Sequence, residues 1–362
     1  MRGNSKVRSP SGGRRRRPAG AVAGARTGTA QSPPSVSIVL PVLNEERDIG
    51  RLLDELLGQI PPPGGFEILV ADGGSTDRTR DIVVARSRDW PNLRLIENPG
   101  RLSSAGRNAG ARAAQGEYVL FLDGHCSVPR RDYVVRLVEI FRASGAACLC
   151  RPQPMQRLAD GRWAQAIAAA RHSFLGHDPG SDIYGGDPAY TDPRSAGAAY
   201  TRAVFEQLGG YDERFDACED VEFNHRVATL GLRSYRHPDL TIDYRPRRSL
   251  GAFFDQMTRY GRGRARLMAR HPGAAPWSLL AATALGMAWI GTMPLLGWQV
   301  AVGAGAAVIA LWGLLVLIES LRVGGVSRRS GRVAASLAVI HSGLLLGFWR
   351  GLAEFWRYRR PS

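Results

Sequence analysis

Tyr118-Val-Leu-Phe-Leu122 followed by Asp123-Gly-His125 is a short apolar run that ends in a carboxylate, a glycine and an imidazole. A run of this length without polar alternation predicts a strand buried on both faces, the kind found inside a parallel sheet. Ligands of open α/β sheets bind in the crevice beyond the carboxyl ends of the strands, so Asp123 is predicted to face one. Hard oxygen donors at such a place suit Mg²⁺ or Mn²⁺. About a hundred residues later Cys218-Glu-Asp220 supplies a second acidic spot, and a separate carboxylate is free to act as a base.

Strand and helix signals alternate on both sides of this run. Val36-Ser-Ile-Val-Leu40 and Phe66-Glu-Ile-Leu-Val70 predict two more buried strands, and Leu93 to Glu97 a short third. Helices are predicted from about Asp48 to Gln59, after Asp77, from Ser103 to Gln115 and from Arg131 to Ser144. The last has Val134, Val135, Leu137, Val138 and Phe141 on its apolar face. The alternation predicts an α/β fold with a mostly parallel sheet and helices on both faces. Arg151 to Tyr190 breaks the pattern: Gly, Pro, Asp and His crowd Gly176 to Asp192, which predicts a long loop over the site. Regularity returns at Ala198 to Leu208, and a helix is predicted after Glu219.

The 362 residues carry a formal net charge of +16, and its distribution decides what it means. About half lies before Pro34, where Arg14-Arg-Arg-Arg17 sits among Gly, Pro, Ser and Ala with no acid. Residues 1–34 are expected to be a disordered basic tail, since they offer too little apolar surface to offset ordering entropy. From Trp277 to Ile318 no residue is charged, roughly forty residues, enough for two spans of ~20 each with Gly297-Trp298-Gln299 as the turn. The spans are expected at about 277–297 and 300–318. A third apolar run, 333–349, carries His341 and reads as a span, a re-entrant segment or an interfacial helix. Basic residues flank these runs, as in a membrane protein whose main domain faces anionic lipid in the cytoplasm. Nucleic acid is not expected as a partner. Cys126, Cys148, Cys150 and Cys218 form no disulfide framework or zinc spacing and are expected to be reduced structural thiols.

Six motifs then resemble one family. Pro41-Val-Leu-Asn-Glu45, Ala71-Asp-Gly-Gly-Ser-Thr-Asp77, Asp123-Gly-His125, Gly209-Gly-Tyr-Asp-Glu213, Glu219-Asp220 and Gln256-Met-Thr-Arg-Tyr260 occur in the order of the family 2 glycosyltransferases, over about residues 35 to 265. With the apolar tail, the chain is most similar to bacterial membrane enzymes of the succinoglycan and exopolysaccharide type. The resemblance implies a GT-A-like nucleotide-diphospho-sugar transferase domain at 35–265 and a membrane-associated region at 266–362. It implies a nucleotide-sugar site at Pro41, Asn44, Glu45, Asp72, Arg107 and Asp123, with a guanidinium suited to gripping phosphate oxygens. It also implies a metal at Asp123 and His125, where the family has a second aspartate. Gly73 stands where the common pattern has a second acid, and Tyr260 stands in the aromatic place of a Gln-x-x-Arg-Trp signature.

Asp220 matches the family's catalytic base, and Asp212, Glu219, Gln256, Arg259 and Tyr260 match its acceptor and diphosphate side. Gln256 and Arg259, three apart on one helix, are expected to reach one ligand. Asp77 reads as a helix cap. Arg262, Arg264, Arg266 and Arg270 read equally as site residues or as lipid-headgroup contacts. The implied activity is an inverting, metal-dependent transfer from a nucleotide-diphospho-sugar to a hydroxyl of a lipid-linked or growing envelope polysaccharide, at the bacterial inner membrane with the catalytic domain in the cytoplasm. Assembly with other polysaccharide-biosynthesis proteins is implied too. Two rivals stand beside it. A lipid-phosphate glycosyl transferase needs no base, so it tolerates loss of Asp220. An inactive glycan- or lipid-binding scaffold of the same fold shows no metal-dependent nucleotide binding.

Overall fold

The computed structural model of the chain describes residues 34–177, 181–296 and 298–354. The expected basic tail up to residue 33, the Gly297 turn and the Arg357 to Arg360 cluster lie outside the described residues. The strands among them are β1 (Val36–Val42), β2 (Phe66–Asp72), β3 (Leu93–Glu97), β4 (Tyr118–Phe121), β5 (Cys126–Ser127), β6 (Cys148–Cys150), β7 (Ala189–Thr191), β8 (Gly197–Thr201), β9 (Ser234–Arg236) and β10 (Asp243–Tyr244). Eight form one sheet in the order β3-β2-β1-β4-β8-β6-β9-β7, and β5 and β10 pair separately. β3, β2, β1 and β4 run parallel, whereas β8 is antiparallel to both β4 and β6. This is the expected mostly parallel α/β sheet, with a mixed second half.

The parallel half follows from its sequence. β2 is buried at every position and β1 at all but Pro41, because neither strand alternates and both faces are covered. On one face the helices Ile49–Leu57 and Tyr133–Ser144 bring Leu52, Leu53, Leu56, Leu137 and Phe141 against Ile38, Leu40, Ile68 and Leu120. On the other, Phe205, Tyr211, Phe223 and Val227 close on Val39, Val119, Phe121 and Tyr200. All four cysteines are free and buried, as structural thiols should be.

Two expectations change. The irregular segment contains a helix, Arg162–Arg171, whose Ala166, Ile167 and Ala170 pack on Phe253, Val333 and Leu337. Five of the eight residues between the arginines are alanine, with too little periodicity to mark a buried face. Its partners come from much later in the chain. Beyond it, helix Leu250–Arg270 runs unbroken across the expected boundary at residue 265.

The apolar tail forms helices Trp277–Leu296, Trp298–Gly324 and Arg328–Ala353. By length and composition Val302–Gly324 and Arg328–Ala353 are apolar enough to cross a membrane, and Trp277–Gly291 is apolar but shorter. The second helix continues past Ile318 through Glu319 and Arg322. The third apolar run lies within one continuous helix of 26 residues.

Candidate active site

β1 lies between β2 and β4, so the chain leaves β1 toward one edge of the sheet and β4 toward the other. Loops that part in this way open a crevice at the carboxyl ends of the strands. Glu45, from the loop after β1, and His125, from the loop after β4, meet there: Glu45 Oε1 lies 3.0 Å from His125 Nδ1. A proton on Nδ1 directed at the carboxylate leaves Nε2 as an acceptor, and Nε2 is buried without a partner. The Tyr244 ring stands edge-on to the imidazole at 5.0 Å. A carboxylate that orients the far nitrogen while the near one stays bare is the usual support of a metal-binding histidine. Burial alone would lower the His125 pKa, but Glu45 and Asp123 outweigh it and hold it above its ordinary value.

Arg107 ties this crevice to the second acidic spot. It projects from helix Ser103–Ala113, is nine-tenths buried, and donates Nη2–H to Asp123 Oδ1 at 2.8 Å and Nη1–H to Glu219 Oε1. The Tyr211 ring lies beneath the guanidinium, 5.6 Å from its carbon. Asp123 and Glu219 are remote in sequence, yet one side chain touches both. Burial pushes the Asp123 carboxyl up, and Arg107, His125 and Arg151 together override it and hold it at about 2. For Glu219 the balance reverses: burial and the adjacent Asp220 outweigh Arg107, and its pKa is raised.

Helix Glu219–Thr229 begins at a strained turn. Cys218 has φ 63, one of three non-glycine residues with positive φ among the described residues. Such a conformation persists only where the surroundings impose it. Here they do: Phe223 packs on Tyr200, Phe205 and Tyr211 with ring centroids 4.8 to 5.0 Å apart, anchoring the first turn. Gly263 of helix Leu250–Arg270 sits so close to Ala217 and Cys218 that a Cβ would lie 2.7 Å from the Ala217 carbonyl oxygen. The turn buries Glu219 and leaves Asp220 exposed, its Oδ1 accepting only from the backbone N–H of Val221 at 2.8 Å. Of the two acids, Asp220 is the one a substrate can reach.

The remaining candidates divide by environment. Pro41, one residue before the end of β1, is half-buried. Asn44, φ 57, braces the neighbouring loop by accepting from Thr76 N–H at 2.8 Å. Asp72 is fully buried, accepting from the N–H groups of Gly74 and Ser75 and from Arg80 at 2.8 Å. Asp77 accepts from Thr79 N–H at 3.0 Å, at the start of helix Thr79–Ser87. Asp212 is paired with Arg214. The Gly209 to Glu213 turn is clamped by Asn108, which exchanges hydrogen bonds of 2.8 Å with the Tyr211 backbone and donates to Glu213. Gly210, φ 77, has no room for a Cβ beside Asn108 Oδ1.

On helix Leu250–Arg270, Gln256 is buried and donates to the Tyr260 hydroxyl at 3.3 Å, whereas Arg259 is exposed. The expected shared face is thus split. Arg262 and Arg266 both turn inward to Asp216, and Arg266 also reaches Glu354 at 2.9 Å.

Sequence reasoning passed over Tyr211, Asn108, Arg151 and Tyr244. Tyr211 and Asn108 lie inside or beside motifs already singled out. Arg151, which donates to the Phe121 carbonyl at 2.6 Å, and Tyr244 carry no local signal. No group of three or more His, Cys, Asp or Glu side chains forms a metal cage among the described residues. Asp123 and the bare His125 Nε2 suit an ion that takes its other ligands from a diphosphate.

Residues 37–209 match the family model described as Glycosyl transferase family 2. The succinoglycan biosynthesis protein ExoA of Rhizobium meliloti (strain 1021) is 32% identical over 326 residues, covering 88% of this chain and 96% of that protein. A dolichyl N-acetyl-alpha-D-glucosaminyl phosphate 3-beta-D-2,3-diacetamido-2,3-dideoxy-beta-D-glucuronosyltransferase of Methanococcus voltae is 22% identical over 331 residues, covering 88% of this chain and 97% of that protein. A solved mannosyltransferase of Pyrobaculum calidifontis, in complex with GDP-Man and Mn²⁺, shares the fold with a TM-score of 0.56, 22% identity and coverage of 86% of this chain and 87% of that one.

Proposed function

The chain belongs to glycosyl transferase family 2, and from that membership we propose that it moves a sugar from a nucleotide-diphospho-sugar to a hydroxyl of a lipid-linked or growing envelope glycan, with inversion at the anomeric carbon. The observation that carries this reading is Arg107 bridging Asp123 and Glu219, which puts the end of β4 and the start of helix Glu219–Thr229 on one cleft. The nucleotide lies along Pro41, Asn44 and Glu45, above the turn that Asp72 holds. The diphosphate lies near Asp123 and Arg107. Asp220 takes the proton of the acceptor hydroxyl as it attacks from the face opposite the leaving group, so one in-line displacement inverts the configuration. Glu219 is covered by Arg107, which makes it a positioning residue.

Asp123 and His125 would hold a Mg²⁺ or Mn²⁺. When bound, such an ion neutralises charge gathering on the departing diphosphate. Tyr260, Gln256 and Arg259 line the acceptor side. The lipid-linked acceptor is confined to a membrane, and helices Trp277–Leu296 and Trp298–Gly324 would hold the cleft beside it, raising effective concentration without a new contact. In this reading the protein works at the bacterial inner membrane with the catalytic domain in the cytoplasm, beside other polysaccharide-biosynthesis proteins.

A screen of nucleotide-diphospho-sugars against membranes bearing lipid-linked acceptors tests the proposal. The expected outcome is transfer that requires a divalent cation and gives a product of inverted anomeric configuration by NMR. Full transfer by the Asp220→Asn variant would overturn the assigned base and point to a phosphate acceptor.

A further inference from the structure

Arg171 is the last residue of helix Arg162–Arg171, whose Ala166, Ile167 and Ala170 pack with Phe253, Val316 and Leu337. Its side chain is half-buried, with no carboxylate within ion-pair distance among the described residues. The titratable groups that act on it most strongly are three tyrosines, Tyr184, Tyr260 and Tyr244. Tyr184 is held against the His172 ring, centroids 4.7 Å apart, and its hydroxyl oxygen is buried with no hydrogen-bond partner. Arg247 repeats the pattern. Arg245 and Arg248 in the same segment pair with Asp160, whereas the half-buried Arg247 pairs with no acid among the described residues. Its charge falls on Tyr244 and on His125, whose rings are 5.0 Å apart.

A cation withdrawn from water needs a counter-charge. Other inward arginines have theirs: Asp123 and Glu219 share Arg107, and Asp216 takes Arg262 and Arg266. Arg171 and Arg247 instead face phenols, which carry no charge at neutral pH. Burial raises the Tyr260 pKa, Arg171 opposes it and Asp220 adds to it, so the exposed acid and the unpaired guanidinium act on one hydroxyl. Gln256 donates to that same hydroxyl at 3.3 Å. Tyr244 is reached by both Arg247 and Arg171. The two guanidiniums therefore belong to one tyrosine-lined wall that runs from His125 toward Asp220.

What this wall lacks is an anion, and the planar fork of a guanidinium matches phosphate oxygens. The donor diphosphate has its own place at Asp123 and His125. The Arg171 end of the wall adjoins the apolar tail: Val316 packs in its cluster, and Phe174 N–H donates to Glu319 of helix Trp298–Gly324 at 2.8 Å. We propose that Arg171 and Arg247 form a second anion site, which takes the phosphate of a polyprenyl-diphosphate-linked acceptor and sets the acceptor's sugar beside Asp220. The site rests on the transfer reaction proposed above and makes the lipid phosphate a determinant of acceptor choice.

Purified full-length protein in neutral detergent, with farnesyl diphosphate as the probe, tests this. With UDP or GDP and Mn²⁺ saturating the donor place, calorimetry should show wild type binding farnesyl diphosphate but not farnesol. Arg171→Gln and Arg247→Gln should each weaken that binding at least ~10-fold, the worth of a charged hydrogen bond. Nucleotide binding and melting temperature should stay at wild-type values, and Arg171→Lys should recover part of the affinity. Undiminished farnesyl diphosphate binding in both glutamine variants would overturn the site. So would a loss confined to the nucleotide, which would make the pair a donor clamp. Transfer assays separate the site from the reaction. Transfer to a lipid-linked acceptor without farnesyl diphosphate binding removes the site, whereas Arg171-dependent binding without transfer to any acceptor removes the reaction and keeps the site.

Discussion

Two strands of the parallel half end in the same dipeptide, Asp72-Gly73 after β2 and Asp123-Gly124 after β4, and the two aspartates lead different lives. Asp72 is fully buried, its oxygens occupied by two backbone N–H groups and Arg80. Asp123 has a side chain 25% exposed and gives one oxygen to Arg107, itself shared with Glu219. β2 lies between β3 and β1 in the parallel half, where the next loop folds back on the carboxylate. β4 borders the antiparallel half, where the chain moves away and leaves room. A carboxylate at a strand end is therefore a ligand group only where topology opens a gap beside it. Elsewhere it organises its own turn.

The contrast breaks first on the exposed acid across the gap. Asp220→Asn should cost at least ~100-fold in kcat. It should leave the thermal midpoint near wild type, because Asp220 supports only its own helix turn. Stopped transfer assays and melting curves on the same preparation check both halves, and an unfolded variant would erase the distinction drawn here.

Asp123→Asn should weaken Mn²⁺-supported binding of the nucleotide diphosphate at least ~10-fold by calorimetry, as losses around a metal do. The fold should hold, since Arg107 keeps Glu219. Asp72→Ala should show the opposite signature. It strands two backbone donors and Arg80, a loss of about 1–3 kcal/mol in stability, with activity falling only as far as the loop loosens. Equal metal-dependent losses in both variants would dissolve the comparison.

The smallest effect concerns an acid that is neither ligand nor turn-former. Burial would raise the Glu222 pKa, but His271 and Arg226 overcome it and hold it below its ordinary 4.5. A depressed folded pKa contributes stability that is complete above about 4.5 and lost as pH falls through the lower folded value. Glu222→Gln should flatten the dependence of melting temperature on pH below 4.5 and leave activity near neutral pH almost unchanged. A dependence as steep as wild type would assign the acid lability to other groups.

Much of this was legible in the sequence because buried parallel strands write themselves as unbroken apolar runs. β1, β2 and β4 fall where those runs lie, and Asp123 and Asp220 were marked by their position at element ends. What escaped depends on distant partners. Helix Arg162–Arg171 is an alanine-rich segment whose burial comes from Phe253, Val333 and Leu337. Gln256 and Arg259 share a helix, yet Tyr260 takes one and solvent the other. Val333 to Trp349 shows in the sequence as an apolar run, but not that Gly343, Gly347 and Gly351 lie against another helix. Tyr244 becomes a neighbour of His125 only through the β5–β10 pairing.

The segment after helix Arg162–Arg171 is pinned from two sides: Phe174 N–H donates to Glu319 at 2.8 Å, and the His341 ring bonds the Leu175 carbonyl at 2.9 Å while accepting from Trp312. With helix Trp298–Gly324 in a bilayer, such stitching fixes the altitude of the cleft above the lipid. An enzyme held at one altitude serves acceptors of one stature.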